Sequence, residues 1–197
     1  MKASFFERLG AYVIDTILIS LIASLICYSL PKPENNVEEI ISSLNQKYTS
    51  GEITTNEFYN EYNKLLYQNQ KNTVTQTCVS LVLTIGYFVV FQYMNKGQTF
   101  GKKLLNIRVV DKKTTESPTI AKGVIRSLIV LGILSTIVNL ITVSLTNQKT
   151  YISSYYIVST IETIFILVSV ILVIFREDGR GLHDIMAGTS VIKEGRW

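Results

Sequence analysis

LGAYVIDTILISLIASLICYSL, residues 9–30, is an apolar run of 22 residues with a single charge inside it, Asp15. At a helical rise of about 1.5 Å per residue, such a run covers a hydrocarbon core about 30 Å thick. Three further runs share this character, 74–94, 124–146 and 151–175, with 21, 23 and 25 residues. The four hold 91 of the 197 residues, which explains why 47% of the chain is hydrophobic and only 17% charged. An ordinary soluble domain carries about 25% charge. The expected fold is an all-α polytopic membrane protein with four transmembrane helices. The first run reads as an uncleaved anchor, because it is too long for a signal peptide and lacks a small-x-small site before Pro31.

Basic residues set the expected orientation. Lys2 and Arg8 precede the first run, and Lys96, Lys102, Lys103, Arg108, Lys112, Lys113, Lys122 and Arg126 cluster between or beside the second and third. Arg176, Arg180, Lys193 and Arg196 follow the fourth, so 14 of the 19 Lys and Arg share one side. Lys32, Lys47, Lys64, Lys71 and Lys149 are left for the other, in a region with six glutamates. Both termini are therefore expected in the cytoplasm. The surplus of four positive charges reads as orientation and attraction to anionic lipid, not as a nucleic-acid footprint.

The loops differ in kind. Segment 31–73 reads as an extracytoplasmic helical hairpin: Val37, Ile40, Ile41, Leu44 and Tyr48 fall at helical spacing, Ser50-Gly51 breaks the pattern, and Thr54-x-x-Glu57 has the form of a capping box. The cytoplasmic segments 95–123 and 176–197 each combine a short helix with strand-like residues. In the first, Ile107–Asp111 reads as a strand, 112–116 as a turn and 117–120 as a return strand; in the second, 181–187 suits a short helix and 189–192 a strand. The tail strand is expected to join the 107–120 hairpin in a small cytoplasmic sheet.

Catalysis finds little support. There is no H-E-x-x-H, G-x-S-x-G, phosphate-binding loop or Gly-rich nucleotide loop, so the chain reads as no enzyme and as needing no cofactor. Two cysteines and one histidine supply no zinc or redox set. Cys27 and Cys78 lie at matching depth near the outer ends of neighbouring runs, which permits a disulfide, though two unpaired thiols are favoured.

Three motifs stand in order along the chain. They are Ala3-x-Phe5-x-x-Arg8-Leu9-x-Ala11-Tyr12-x-Ile14-Asp15, Gly97-Gln98-Thr99-x-Gly101-Lys102-x-Leu104-Leu105-x-Ile107-Arg108-Val109-Val110, and Arg180-Gly181-Leu182-His183-Asp184-x-x-Ala187-Gly188-Thr189. In combination they resemble the RDD family of membrane proteins, named for one arginine and two aspartates. The resemblance implies Arg8, Asp15 and Asp184 as the family residues. It also implies a role in transport, since some members are linked to sodium–proton antiport, while most have no assigned activity. The outer hairpin of about 40 residues departs from the family's minimal pattern.

An aspartate in the middle of a span costs about 2.5–3.5 kcal/mol, so Asp15 needs a reason. Arg8 and Asp15 share a helix face two turns apart, about 10 Å, which leaves room for water or a third group such as Arg126 or Asp184. One reading makes this an Arg–Asp network that pins the first helix to the cytoplasmic sheet; the other has Asp15 exchange a proton or coordinate a cation. Glu162 lies near the midplane of the fourth run with no basic residue at its depth, and Asn139, Thr84 or Ser135 are its candidate partners. His183, beside Asp184, reads first as an ordinary polar contact and second as a pH switch.

Two functions therefore compete. One is transport of a small cation or proton by intramembrane carboxylates, in a homo-oligomer because four spans are few for an enclosed path. The other is a non-transporting interaction or assembly protein in which Arg8, Asp15 and Asp184 are structural. The expected setting in both is the lipid bilayer of a bacterial plasma membrane, with no nucleic acid and no metal.

Overall fold

The computed structural model describes residues 1–30 and 36–194. Lys32 and Arg196, counted above for orientation, lie outside these residues, as does the start of the 31–73 insertion. Helix α1 (Phe5–Tyr28) carries the first run. It starts at a full capping box: the Ser4 hydroxyl accepts from the Glu7 N–H, and the Glu7 carboxylate accepts from the Ser4 N–H. Two helices, α2 (Val37–Thr49) and α3 (Thr55–Asn72), form the hairpin expected in segment 31–73, and Thr54 and Glu57 make the expected capping box.

After Thr73 the chain continues as α4 (Val74–Ile85), a six-residue π-helical segment (Gly86–Phe91) and α5 (Gln92–Met94), which together form the second apolar span. The wide π turn changes the azimuth of the side chains that follow it, and Tyr87 and Phe91 stack at 5.4 Å. A short α6 (Phe100–Leu104) leads into β1 (Ile107–Asp111).

Residues 117–120 do not make the return strand expected of them. Thr119 is extended but caps α7 (Ile120–Val130), and β1 pairs instead with β2 (Thr189–Lys193) of the tail. Pro118 lacks a ladder donor, and Ile120 is already helical, so no length of strand remains. The two-stranded sheet is antiparallel with Val109 opposite Val191. Lys2 bridges Ile192, and the Ala3 N–H donates to the Val191 carbonyl at 3.1 Å, so the N-terminus lies along β2. Ala3, Ala11, Ile107, Val109 and Val191 make the small core beneath α1.

The third run is not one straight helix. It divides into α7 and α8 (Ile133–Leu145), which bend by 68°. Gly132 sits at the bend in a left-handed conformation with φ of 61°, and its carbonyl accepts from the Ser135 and Thr136 hydroxyls at 2.8 Å each. The chain then returns along α9 (Gln148–Phe175) and closes with α10 (Leu182–Ala187) before β2. The described residues thus hold three helices long and apolar enough to cross a membrane, and a bent pair that passes the same length and hydropathy test when taken together.

The hairpin sits at the opposite end of the bundle from the sheet. Tyr67 of α3 donates to the Thr146 carbonyl at 3.2 Å, and Tyr156 of α9 donates to the Asn63 side chain at 2.9 Å. Cys27 and Cys78 are both free thiols.

Candidate functional site

The motif residues form two clusters, and Arg8 does not pair with Asp15. In the first, Asp15 is fully buried and each oxygen is engaged. Tyr87 Oη donates to Oδ1 at 2.6 Å, the Gly101 N–H to Oδ1 at 2.7 Å, and Thr99 Oγ1 to Oδ2 at 2.5 Å. The π segment brings Tyr87 into place, and the Tyr87 oxygen in turn accepts from the Phe100 N–H at 3.0 Å. Gly101 is needed for the approach: a Cβ there would stand 2.4 Å from the Ala11 carbonyl and 3.0 Å from the Asp15 carboxylate. A buried carboxylate is thus stabilised by three uncharged donors from two other stretches of chain, which join α1, the second span and α6.

In the second cluster Asp184, also fully buried, holds the center. Arg8 Nη1 lies 3.0 Å from Oδ2, Arg126 Nη1 3.0 Å from Oδ1, and Thr189 Oγ1 donates to Oδ1 at 3.0 Å. Arg8 also donates to the Ala3 and Val191 carbonyls, both at 3.3 Å. Arg180 closes the loop around α10 by donating to the Thr189 and Asp184 carbonyls. Burial alone raises the pKa of Asp184, but the charge of Arg126, the bond from His183 and the charge of Arg8 outweigh it. Its carboxyl is held well below the ordinary carboxylate range.

His183 Nδ1 and Ser169 Oγ are 2.6 Å apart, while Nε2 lies 3.4 Å from Asp184. Burial pushes the pKa of His183 down, although the Asp184 contact and charge pull it up. The imidazole is therefore neutral at pH 7. With its proton on Nε2, toward Asp184, Nδ1 accepts from the Ser169 hydroxyl.

Between the clusters lies a cavity of about 160 Å³, open on one side. Arg8, Arg126, Lys102, Asp15 and His183 contribute to its wall. Lys102 Nζ donates to Gln92 Oε1 at 2.5 Å. Burial, followed by the charge of Arg126, pushes the Lys102 pKa down to about 7, against the pull of Asp15 and Asp184.

Glu162 stands apart from both clusters. It faces the break in the third run, where its Oε1 is 2.5 Å from the position a Cβ on Gly132 would take. It lines an apolar cavity of about 210 Å³ with Ser135, whose hydroxyl is engaged by the Gly132 carbonyl. Asn139 and Thr84 do not line that cavity; Thr84 borders another between α4 and α8, and Asn139 Oδ1 is buried with no hydrogen-bond partner. Among the described residues, no three Asp, Glu, His or Cys side chains converge as metal ligands.

Sequence reasoning singled out Arg8, Asp15, Asp184 and Arg126 but not Tyr87, Thr99 or Gly101 as partners of Asp15. Thr99 and Gly101 stand in the central motif, and their spacing from each other was the available signal; Tyr87 gave none. No curated protein and no solved structure matches the chain significantly. The model of the RDD family matches residues 2–188, nearly the whole chain. The three motifs, the half-buried Arg8 and the two buried aspartates they supply, and this match place the chain in the RDD family of membrane proteins.

Proposed function

We propose that the chain is a multi-pass protein of the bacterial plasma membrane, with both termini cytoplasmic, that works by interaction and assembly rather than by passing a cation along Arg8, Asp15 and Asp184. In this reading the three residues are a lock between the membrane helices and the cytoplasmic sheet. The carrying observation is the saturation of Asp15: three donors within 2.7 Å occupy a carboxylate with no exposed surface. A cation would have to displace donors that also hold α6 and the second span. Asp184 is equally committed, shared by two guanidiniums and a hydroxyl. The chain acts without a catalytic set or cofactor, in contact with the lipid bilayer.

A second reading is favoured by one observation. Glu162 has no hydrogen-bond or ion-pair partner among the described residues and faces a bend at which helical hydrogen bonding is interrupted. Such breaks supply backbone groups to ion sites in transporters. In that reading Glu162, not the motif, carries a proton or small cation.

Sodium, potassium and proton flux into liposomes separates these readings. The expected result is that Asp15→Asn leaves flux at the wild-type level while lowering stability by about 1–3 kcal/mol, through loss of charge-assisted hydrogen bonds. Flux above empty liposomes that disappears in a folded Asp15→Asn variant overturns the lock. Flux that disappears only in Glu162→Gln supports the second reading.

A further inference from the structure

The charge around the 160 Å³ cavity does not suit a cation. Arg8 and Arg126 share one carboxylate, Asp184. Lys102 has only the neutral Gln92 amide oxygen as its hydrogen-bond acceptor. The one acid in the cavity wall, Asp15, already has its oxygens occupied. Arg126 donates no hydrogen bond to any described residue, and its buried Nη1 makes only the ion pair to Asp184. A guanidinium carries five N–H donors in a fork that matches an oxyanion. The buried end of Arg126 is therefore short of acceptors.

Most of the remaining wall is apolar, including Leu9, Phe88, Val130, Val170 and Val173, with Ser127 and Ser169 adding hydroxyls. Leu9, Phe88, Val170 and Val173 lie in the sheet-side halves of their candidate spans and Val130 at the end of α7, beside the bend, a depth suited to the first carbons beyond a headgroup. The volume equals about five waters at their liquid share of about 30 Å³, enough for a tetrahedral oxyanion and the first carbons attached to it but not for a whole lipid.

We propose that this cavity binds the phosphate of an anionic phospholipid, with Arg126 and Lys102 supplying donors to the phosphate oxygens and the apolar wall receiving the start of its tail. Asp184 keeps Arg126 aimed without satisfying its donors. The site does not depend on whether the chain transports anything. It gives the lock of α1, α7 and α10 a third, exchangeable component.

The test uses the full chain in nanodiscs of phosphatidylcholine with or without phosphatidylglycerol. Co-purified lipid is counted by native mass spectrometry. The expected result is retention of phosphatidylglycerol over phosphatidylcholine by about tenfold, the equivalent of one charge-assisted hydrogen bond, with the preference lost in Lys102→Gln and Arg126→Gln. Arg176→Gln, at a basic residue outside the cavity wall, leaves it intact. A readout on the unaltered chain stands beside the variants: acetylation of Lys102, relative to its exposed neighbour Lys103, slows in phosphatidylglycerol. Millimolar inorganic phosphate in phosphatidylcholine tests the free anion; if it protects Lys102 as well as the lipid does and displaces it, the occupant is phosphate and the lipid assignment falls. Equal retention of both lipids, a preference that survives Lys102→Gln, or unchanged Lys102 acetylation also overturns the proposal.

Discussion

Asp184 and His183 are adjacent in sequence but answer to pH in different windows. The Asp184 carboxyl sits below its ordinary range because Arg126, His183 and Arg8 outweigh its burial. Its contribution to stability is complete above an unfolded value of about 3.9 and is lost only as pH falls from there toward the lower folded value. His183 is pushed below its ordinary value by burial, and Ser169, Asp184, Arg126 and Arg8 face it from α9, α10, α7 and α1. As pH falls through about 6.5 the unfolded chain takes up a proton that the folded chain refuses, so stability declines. In a Lys102→Gln background, which removes the group whose pKa burial lowers to about 7 and that would itself reduce stability as pH falls from 8 to 7, the melting temperature in detergent should therefore be level from pH 8 to about 6.5 and decline below it. His183→Gln, which keeps a polar group near Ser169, should flatten that first decline and leave the steeper loss near pH 4. A decline unchanged in the variant would assign it to another group.

At the level of elements, close approach of backbones decides which glycines matter. Gly101 brings α6 against α1, with no room for a Cβ between it and the Ala11 carbonyl. Gly101→Ala is expected to cost about 1–3 kcal/mol by overpacking and to detach the N–H from Asp15. Gly123, inside α7, has nothing within 4 Å of its Cβ position, and Gly123→Ala should gain about 0.5–1 kcal/mol of helix stability. Thermal unfolding of the two variants in the same detergent checks both signs. Much at this scale was legible in the sequence: Thr54 and Glu57 announce α3, and α6, β1, α10 and β2 lie where the motif segments put them. The bend at Gly132 was not, because a lone glycine in an apolar run does not change run length or mean hydropathy, which are what reveal a span. The supposed strand at 117–120 failed for a related reason. Extended residues around Pro118 share a strand's backbone angles without its hydrogen bonds, and only the fold shows that β1 takes β2 as its partner.

Across the whole molecule the hairpin and the sheet occupy opposite ends, and the basic residues gather at the sheet end. The proposed orientation is checked by labelling intact cells with an impermeant maleimide in a Cys27→Ser, Cys78→Ser background. Ser50→Cys in the hairpin should label at once and Lys112→Cys beside the sheet only after permeabilisation; the reverse pattern would invert the protein. The candidate site was legible only in part at this scale. The charges of Arg8, Asp15 and Asp184 stood out against apolar or motif surroundings, but Tyr87 and Thr99 reach Asp15 from 72 and 84 residues away, and no local pattern records such a contact. The same distance gives the Arg8–Asp184 pair a consequence in time. The partners are separated by 176 residues, which takes roughly ten to forty seconds to synthesise. Through that interval α1 carries a guanidinium whose counter-charge has not yet been made, and Arg126 joins it in the same condition. A chain that stops short of residue 184 never neutralises either one. The synthesis of α10 thus completes a charge balance that the first helix opened.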